Sequence, residues 1–120
     1  MPAALHSAES AEALERAVRF VLAGMEQGRM QPGFNGGYDV RDWGIIYALH
    51  FLLRLESLGQ TPAAQVAAVQ ARIPLLIASL EQTSIPQTGG WNYARRSGGD
   101  APAASSPFMT APAVLSLIHI

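Results

Sequence analysis

Carboxylates and histidines are the side chains of this sequence that could act as acids, bases or metal ligands. Asp39 and Asp42 are separated by two residues and could form a weak carboxylate pair or contact a ligand, but we interpret Asp39 as a solvated loop residue and Asp42 as a helix N-cap. The histidines His6, His50 and His119 are widely spaced and show no ligand pattern such as two histidines four residues apart. The chain has no cysteine, which excludes thiolate metal sites and a cysteine nucleophile. We therefore predict no metal site, no cofactor and no catalytic residue.

One cluster combines aromatic and basic side chains. Trp91 and Tyr93 are followed at once by Arg95 and Arg96. Arginine binds carboxylates and phosphates with two parallel hydrogen bonds, so either arginine could hold the anionic headgroup of a ligand. The alternative, which we favour, is a solvated loop tip.

Composition limits the class of protein. The 120 residues allow one domain, and 49% are hydrophobic while only 14% are charged, against about 25% in an average soluble domain. This much apolar surface excludes intrinsic disorder. The formal net charge of −1 provides no basic excess for nucleic acid. The longest apolar stretch, residues 43–55, is shorter than the roughly 20 residues of a bilayer span, and residues 1–10 lack a signal-peptide pattern. We predict no transmembrane segment, and no compartment is indicated beyond the cytoplasm as a default.

Hydrophobic periodicity predicts two amphipathic helices. The first covers about residues 10–25, with Ser10 as N-cap and Gly28 as a stop signal. The second starts at Thr61 and Pro62, a cap followed by proline at the first helical position, and continues to about residue 82. Pro74 lies inside this helix and should kink or divide it, because proline removes a backbone donor.

Two further helices are apolar on nearly all sides. One is predicted over residues 42–58 with Gly59 at its end, and the other begins at Ser106 and Pro107 and continues to the end of the chain. A helix that is apolar all round is expected to be surrounded by protein. Within the first of them, Trp43 is a candidate ligand contact, and we interpret His50 as a hydrogen-bonded core histidine, with ligand binding or acid–base chemistry as the alternative. The loops between the helices show no strand pattern, so the predicted fold class is all-α.

The helices form an internal repeat of about residues 10–58 and 61–120, in the order amphipathic, apolar, amphipathic, apolar. Gln27 and Gln82 end the amphipathic helices. A Gly-Gly-aromatic step then precedes each apolar helix. The steps are Gly36, Gly37 and Tyr38 in the first copy, and Gly89, Gly90 and Trp91 in the second. This order predicts two αα-hairpins, each with one outer helix and one helix buried on both sides.

Both repeat motifs have a structural explanation. Two glycines permit positive φ angles and a close approach of the backbone. The aromatic side chain can then cover the end of the hairpin, and Gln82 can bond the backbone groups that a helix terminus leaves unsatisfied. We expect the same roles for the first copy of the motif.

The second copy resembles the repeat of terpenoid cyclases and protein prenyltransferase β subunits, a squalene cyclase-like family. The resemblance rests on Gln82 at the end of an outer helix, on the turn at 89–93 and on the helix from 106 to 115, with residues 27–55 as a more divergent copy. It covers roughly residues 12–118. In that family six such hairpins close into an α/α toroid, so the resemblance implies that this chain supplies two of six.

The resemblance also implies particular catalytic and ligand-binding motifs. Squalene-type cyclases protonate an alkene with an Asp-x-Asp-Asp motif, which is absent here. Prenyltransferases of this fold bind zinc through aspartate, cysteine and histidine, and this chain has no cysteine. Their basic and aromatic residues contact the diphosphate and the isoprenoid chain. We therefore predict a non-catalytic segment of such a toroid that binds an apolar, isoprenoid-like molecule or a protein. The alternative is part of an isoprenoid cyclase or prenyl-transferring enzyme whose catalytic residues lie outside this chain.

Two hairpins cannot enclose two helices that are apolar all round. Repeat proteins need polar terminal units, and neither end of this sequence provides one. The sequence also stops at His119 and Ile120 with no helix stop signal. These features predict a fragment of a larger toroid. They also predict that the chain self-associates, for example as a closed trimer, or aggregates.

Overall fold

A computed structural model describes residues 7–30, 38–39, 41–85, 88–91, 95–96 and 106–118. These residues form four α-helices, two short 3₁₀ turns and two strands of two residues each. The all-α fold class is therefore confirmed, with one small antiparallel strand pair added to it. The helices are α1 (Ala8–Met25), α2 (Arg41–Ser57), α3 (Val66–Thr83) and α4 (Pro107–Ile118), the 3₁₀ turns are Gly28–Met30 and Ala63–Gln65, and the strands are β1 (Tyr38–Asp39) and β2 (Arg95–Arg96).

α1 begins earlier than the sequence analysis predicts. Ser7 is the N-cap, and its hydroxyl accepts a hydrogen bond from the backbone N–H of Ser10 at 3.1 Å. The prediction that Ser10 is the N-cap is wrong, because Ser10 lies inside the first turn of the helix. Gly28 does not follow the helix directly: Glu26 is the C-cap, and Gly28 opens a 3₁₀ turn.

α2 begins at Arg41, so the prediction that Asp42 is its N-cap is wrong. Asp42 lies inside the first turn and is only 3% exposed. The end of the helix agrees with prediction. Gly59 has a φ of +64°, its N–H bonds the carbonyl of Glu56 at 3.0 Å, and the N–H of Gln60 bonds the carbonyl of Leu55 at 2.9 Å. This double hydrogen bond is a Schellman motif, in which glycine tolerates the left-handed conformation.

Proline marks the start of α4 and interrupts the hydrogen bonds of α3. α4 starts at Pro107, and the carbonyl of Ser106 accepts the N–H of Thr110 at 2.8 Å, as expected of an N-cap residue. Pro62 precedes the 3₁₀ turn before α3 rather than occupying the first helical position. Pro74 does not divide α3, which is continuous from Val66 to Thr83. Both Pro74 and Gln70, whose carbonyl would bond the missing N–H, are exposed, so water can satisfy that carbonyl.

α2 and α4 run in the same direction. Trp43 in the first turn of α2 contacts Phe108 in the first turn of α4, with ring centroids 6.4 Å apart. At the other end, Ser116 of α4 shares a small cavity with Leu53 and Ser57 of α2.

α1 and α3 are also parallel to each other. The side-chain amide of Gln65 donates to the carbonyl of Glu15 at 3.1 Å, and Arg72 pairs with Glu26 at 3.2 Å. Residue numbers therefore increase in the same direction along both helices. Ile45, near the start of α2, shares a cavity with residues 75–82 near the end of α3, so these two helices are antiparallel. The helices therefore form two layers of opposite direction, α1 with α3 and α2 with α4.

The core is built around α2, which packs against α1, α3 and α4. However, α2 is not surrounded on all sides as predicted. One stripe of it, Trp43, Tyr47, His50 and Arg54, is exposed. α4 buries a single face and exposes several apolar residues. The fully buried large side chains are Val18, Ile46, Leu49, Leu52, Val69, Leu80 and Met109.

The apolar character of the chain is concentrated in its last two helices. Residues Ala63–Thr83 are long and apolar enough to cross a membrane when judged by length and composition alone, which the prediction of no transmembrane segment did not anticipate. This stretch carries Arg72 and Glu81, and buries Val69, Ile73 and Leu80 against the other helices. Only 22% of this apolar stretch is buried within the fold.

Candidate functional site

The two glycine-containing loops meet beside the start of α2. Their backbones pair as the antiparallel strands β1 and β2, with Tyr38 opposite Arg96 and Asp39 opposite Arg95. The pairing corrects the prediction that neither loop contains a strand, and it was missed because two residues are too few for alternation to be visible. It brings three predicted ligand-binding candidates, Asp39, Arg95 and Arg96, to one place in the fold. Asp42 and Trp43 follow β1 within four residues and therefore lie near it.

Trp91 joins the end of α3 to the start of α4. Its side chain is 9% exposed, and its indole N–H donates to the carbonyl of Leu80 at 2.7 Å. Its backbone N–H donates to the hydroxyl of Thr110 at 3.0 Å, and its carbonyl accepts from the N–H of Ser106 at 2.8 Å. Leu80 belongs to the last turn of α3, and its carbonyl also accepts from the hydroxyl of Thr83 at 3.2 Å. Trp91 therefore supplies a second donor at this helix terminus, where we had predicted that Gln82 would bond backbone groups.

The glycines before Trp91 adopt the conformation that the sequence analysis expected. Gly89 and Gly90 have φ angles of +70° and +74°. The N–H of Gly89 bonds the carbonyl of Ile85 at 2.8 Å, and the N–H of Ile85 bonds the carbonyl of Gly90 at 3.0 Å. Side chains rarely tolerate such φ angles, so glycine is needed at both positions of this closed turn.

An exposed surface extends along α2 and α4, which we call the α2–α4 face. It consists of Trp43, Tyr47, His50 and Arg54 of α2 and of Phe108 and Leu115 of α4. Trp43 is 49% and Phe108 60% exposed, although their rings meet edge to face at 88°. The face is aromatic at the end that carries the β1–β2 pair. An apolar surface of this kind is typical of a ligand or partner site.

The other end of the α2–α4 face is basic. His50 is exposed there, so its interpretation as a core histidine is wrong. His50, Arg54 and Ser57 line a cavity of about 70 Å³ together with Ser116 of α4. The cavity lies at the C-terminal end of α2, where the helix dipole favours cations over anions. It is large enough for a few water molecules and not for an organic ligand.

A larger cavity, of about 260 Å³, lies between α1, the start of α2 and the end of α3. Its apolar walls include Met25, Met30 and Leu76, and its polar residues are Arg72, Ser79 and Gln82. The sequence analysis named only Gln82 among these residues, and for another role. Gly44 lies against the cavity wall: a Cβ at this position would lie 2.9 Å from the Cε of Met30, so the end of that side chain would have to shift.

Other predicted residues contribute less to these sites. Gln27 is exposed, and its carbonyl accepts the N–H of Met30 at 2.8 Å, so its backbone holds the turn after α1. Gly36, Gly37 and Tyr93 lie outside the described residues. Within the part of the chain that the structure describes, no group of three His, Asp or Glu side chains could hold a metal ion.

The chain was compared with protein-family models, with curated proteins and with solved structures, and none of the three comparisons gives a match.

Proposed function

We propose that the chain is a non-catalytic segment of a prenyltransferase- or squalene cyclase-like α/α toroid, and that it binds an apolar, isoprenoid-like molecule on the α2–α4 face. The observation that carries the proposal is the exposed aromatic cluster of Trp43, Tyr47 and Phe108 on two parallel helices. Large aromatic surfaces left in water are energetically costly and are common where a ligand is bound.

The direction of the helices supports the toroid as the architecture. In an α/α toroid the inner helices run one way and line the lumen, and the outer helices run the other way. α2 and α4 are parallel to each other and antiparallel to α3, which fits an inner and an outer layer. In that arrangement the α2–α4 face is the surface toward the lumen, where a ligand would be enclosed by the remaining hairpins.

The β1–β2 pair provides the polar end of the proposed site. Arg95 and Arg96 are held by this pair near the first turn of α2, at the aromatic end of the α2–α4 face. An isoprenoid diphosphate has an apolar tail and an anionic headgroup. Because successive residues of a strand alternate between its two faces, one of the two arginines would bind the headgroup while the aromatic residues contact the tail.

The proposal can be tested with farnesol and farnesyl diphosphate as probes, using titration calorimetry and tryptophan fluorescence. We expect both probes to bind, the diphosphate more tightly, with a blue shift in emission. The shift should be absent in Trp43→Phe, because Trp91 is already buried.

Phe108→Glu and Phe20→Glu form a matched pair of variants. Phe108 lies on the α2–α4 face, whereas Phe20 is an exposed residue of α1 at 79% exposure. We expect Phe108→Glu to weaken farnesyl diphosphate binding at least tenfold and Phe20→Glu to leave it unchanged. Absence of binding by the unmodified chain, or equal loss in both variants, would reject the proposal.

A further inference from the structure

We propose that the cavity between α1, the start of α2 and the end of α3 binds a medium-chain fatty carboxylate. The carboxylate would be held by Arg72 and the alkyl chain would lie along α3 toward Gln82. This site is separate from the α2–α4 face, because it faces the junction of the two helix layers instead of their inner side.

The dimensions of the cavity define the shape of the ligand. Arg72, Leu75, Ser79 and Gln82 follow one stripe of α3 and all line the cavity. Ten residues separate Arg72 from Gln82, which is about 15 Å along a helix. A volume of about 260 Å³ spread over that length corresponds to a narrow groove, which we call the channel and which is open to solvent beside Leu75 and Gln82. It fits a single linear chain better than a ring system.

The walls of the channel are flexible and apolar. Met25 and Met30 come from the end of α1 and the following 3₁₀ turn, and Ile45 and Leu76 complete the apolar lining. Methionine side chains adapt to irregular apolar ligands because they are unbranched and polarisable. The lining can therefore bind alkyl chains of several lengths.

Arg72 supplies the charge at one end of the channel. Its side chain is only 19% exposed, and among the described residues its Nη2 pairs with Glu26 at 3.2 Å. A guanidinium has five N–H donors, so this bond leaves donors for a ligand. Glu26 is 72% exposed and lies outside the residues that line the cavity, so its carboxylate binds Arg72 from the solvent side. The existing ion pair thus indicates the type of anion that Arg72 accepts.

The charge requirement is tested with dodecanoate and dodecanol as paired probes in titration calorimetry. We expect Arg72→Gln to weaken dodecanoate binding about 10- to 100-fold, the loss of a hydrogen bond to a charged group, and to change dodecanol binding little. Glu26→Gln should tighten dodecanoate binding about two- to fivefold, because it removes a competing surface carboxylate. Because Glu26 is largely exposed, that variant also provides a test if Arg72→Gln does not fold.

The location of the ligand is tested by filling the channel. Ala78→Phe should abolish binding of both probes, whereas Ala68→Phe, at another exposed alanine of α3 that lies outside the channel, should not. Phe108→Glu on the α2–α4 face should leave dodecanoate binding intact. The proposal is overturned if the unmodified chain does not bind dodecanoate, if Arg72→Gln affects both probes equally, or if Phe108→Glu abolishes binding while Ala78→Phe does not.

Discussion

At the scale of single residues, Trp91 links a sequence motif to a physical role. The Gly-Gly-Trp step alone indicates a turn followed by an aromatic side chain that covers a hairpin end. The structure adds the particular bond, from the indole N–H to the carbonyl of Leu80 at 2.7 Å. No sequence pattern marks that carbonyl as the acceptor, because the bond depends on how the turn folds back over α3.

Replacing Trp91 tests this role in two steps. Trp91→Ala should lower the free energy of unfolding by roughly 3–5 kcal/mol, because it leaves a large cavity. Trp91→Phe keeps most of the apolar volume but removes the indole donor to Leu80, whose carbonyl still accepts from Thr83, so it should cost about 0.5–1.5 kcal/mol. Urea unfolding followed by circular dichroism measures both values. A loss below about 1 kcal/mol for Trp91→Ala would mean that the side chain is exposed in solution.

Gly89 provides a second prediction at this scale. A Cβ at Gly89 would meet no atom within 4 Å, but the φ of +70° strains any residue that has one. Gly89→Ala should therefore cost about 1–2 kcal/mol of unfolding free energy, through backbone strain alone. Gly28→Ala is the control, because Gly28 has the same open surroundings without a positive φ. Equal unfolding free energies for the two variants would show that the turn is not closed as described.

At the scale of helices and strands, the sequence was informative for elements that are defined by local residues alone. The four helices, the glycine end of α2 and the proline start of α4 were all predicted from local pattern and capping chemistry. The prediction failed at Asp42, because N-cap preference alone does not tell the cap position from a carboxylate in the first turn. It also failed for β1 and β2, whose pairing joins residues 56 and 58 positions apart.

Pro74 makes a testable prediction about α3. An interior proline removes one hydrogen bond and costs about 3 kcal/mol in a helix, and Pro74 is exposed, so its replacement disturbs little packing. Pro74→Ala should raise the unfolding free energy by about 1–3 kcal/mol. Pro107→Ala should give no gain, because proline at the first position of a helix loses no bond. Thermal unfolding of both variants by circular dichroism decides the matter. A destabilised Pro74→Ala protein would mean that the proline is needed for the shape of the helix.

At the scale of the whole molecule, the same pattern of apolar residues has two explanations that the sequence cannot separate. An all-apolar helix can be enclosed by its own chain, or it can keep an uncovered face for something else. The structure distinguishes them: α2 is covered on three sides by α1, α3 and α4, while α4 buries one face only. The candidate sites follow from this arrangement of layers. The Arg72 channel could not be foreseen because its lining comes from four separate elements, namely α1, the 3₁₀ turn after it, α2 and α3.

The uncovered faces of α2 and α4 predict the behaviour of the chain in solution. Phe108, Leu115 and Ile118 of α4 are each more than half exposed, and Trp43 and Tyr47 of the adjoining α2 are exposed beside them. Exposed apolar residues on adjoining helices favour association. We expect multi-angle light scattering at micromolar concentration to give a mass above the 12.8 kDa of one chain.

Leu115→Glu and Leu75→Glu identify the face that drives this association. The two leucines are 52% and 56% exposed, on α4 and α3 respectively, so they are matched in chemistry and exposure. A charge at Leu115 would be buried unpaired in an assembly that uses the α2–α4 face, at a cost of several kcal/mol. Leu115→Glu should therefore shift the protein to a monomer, while Leu75→Glu should not. A monodisperse 12.8 kDa species from the unmodified chain would contradict the prediction, because it would mean that this face remains stable in water without a partner.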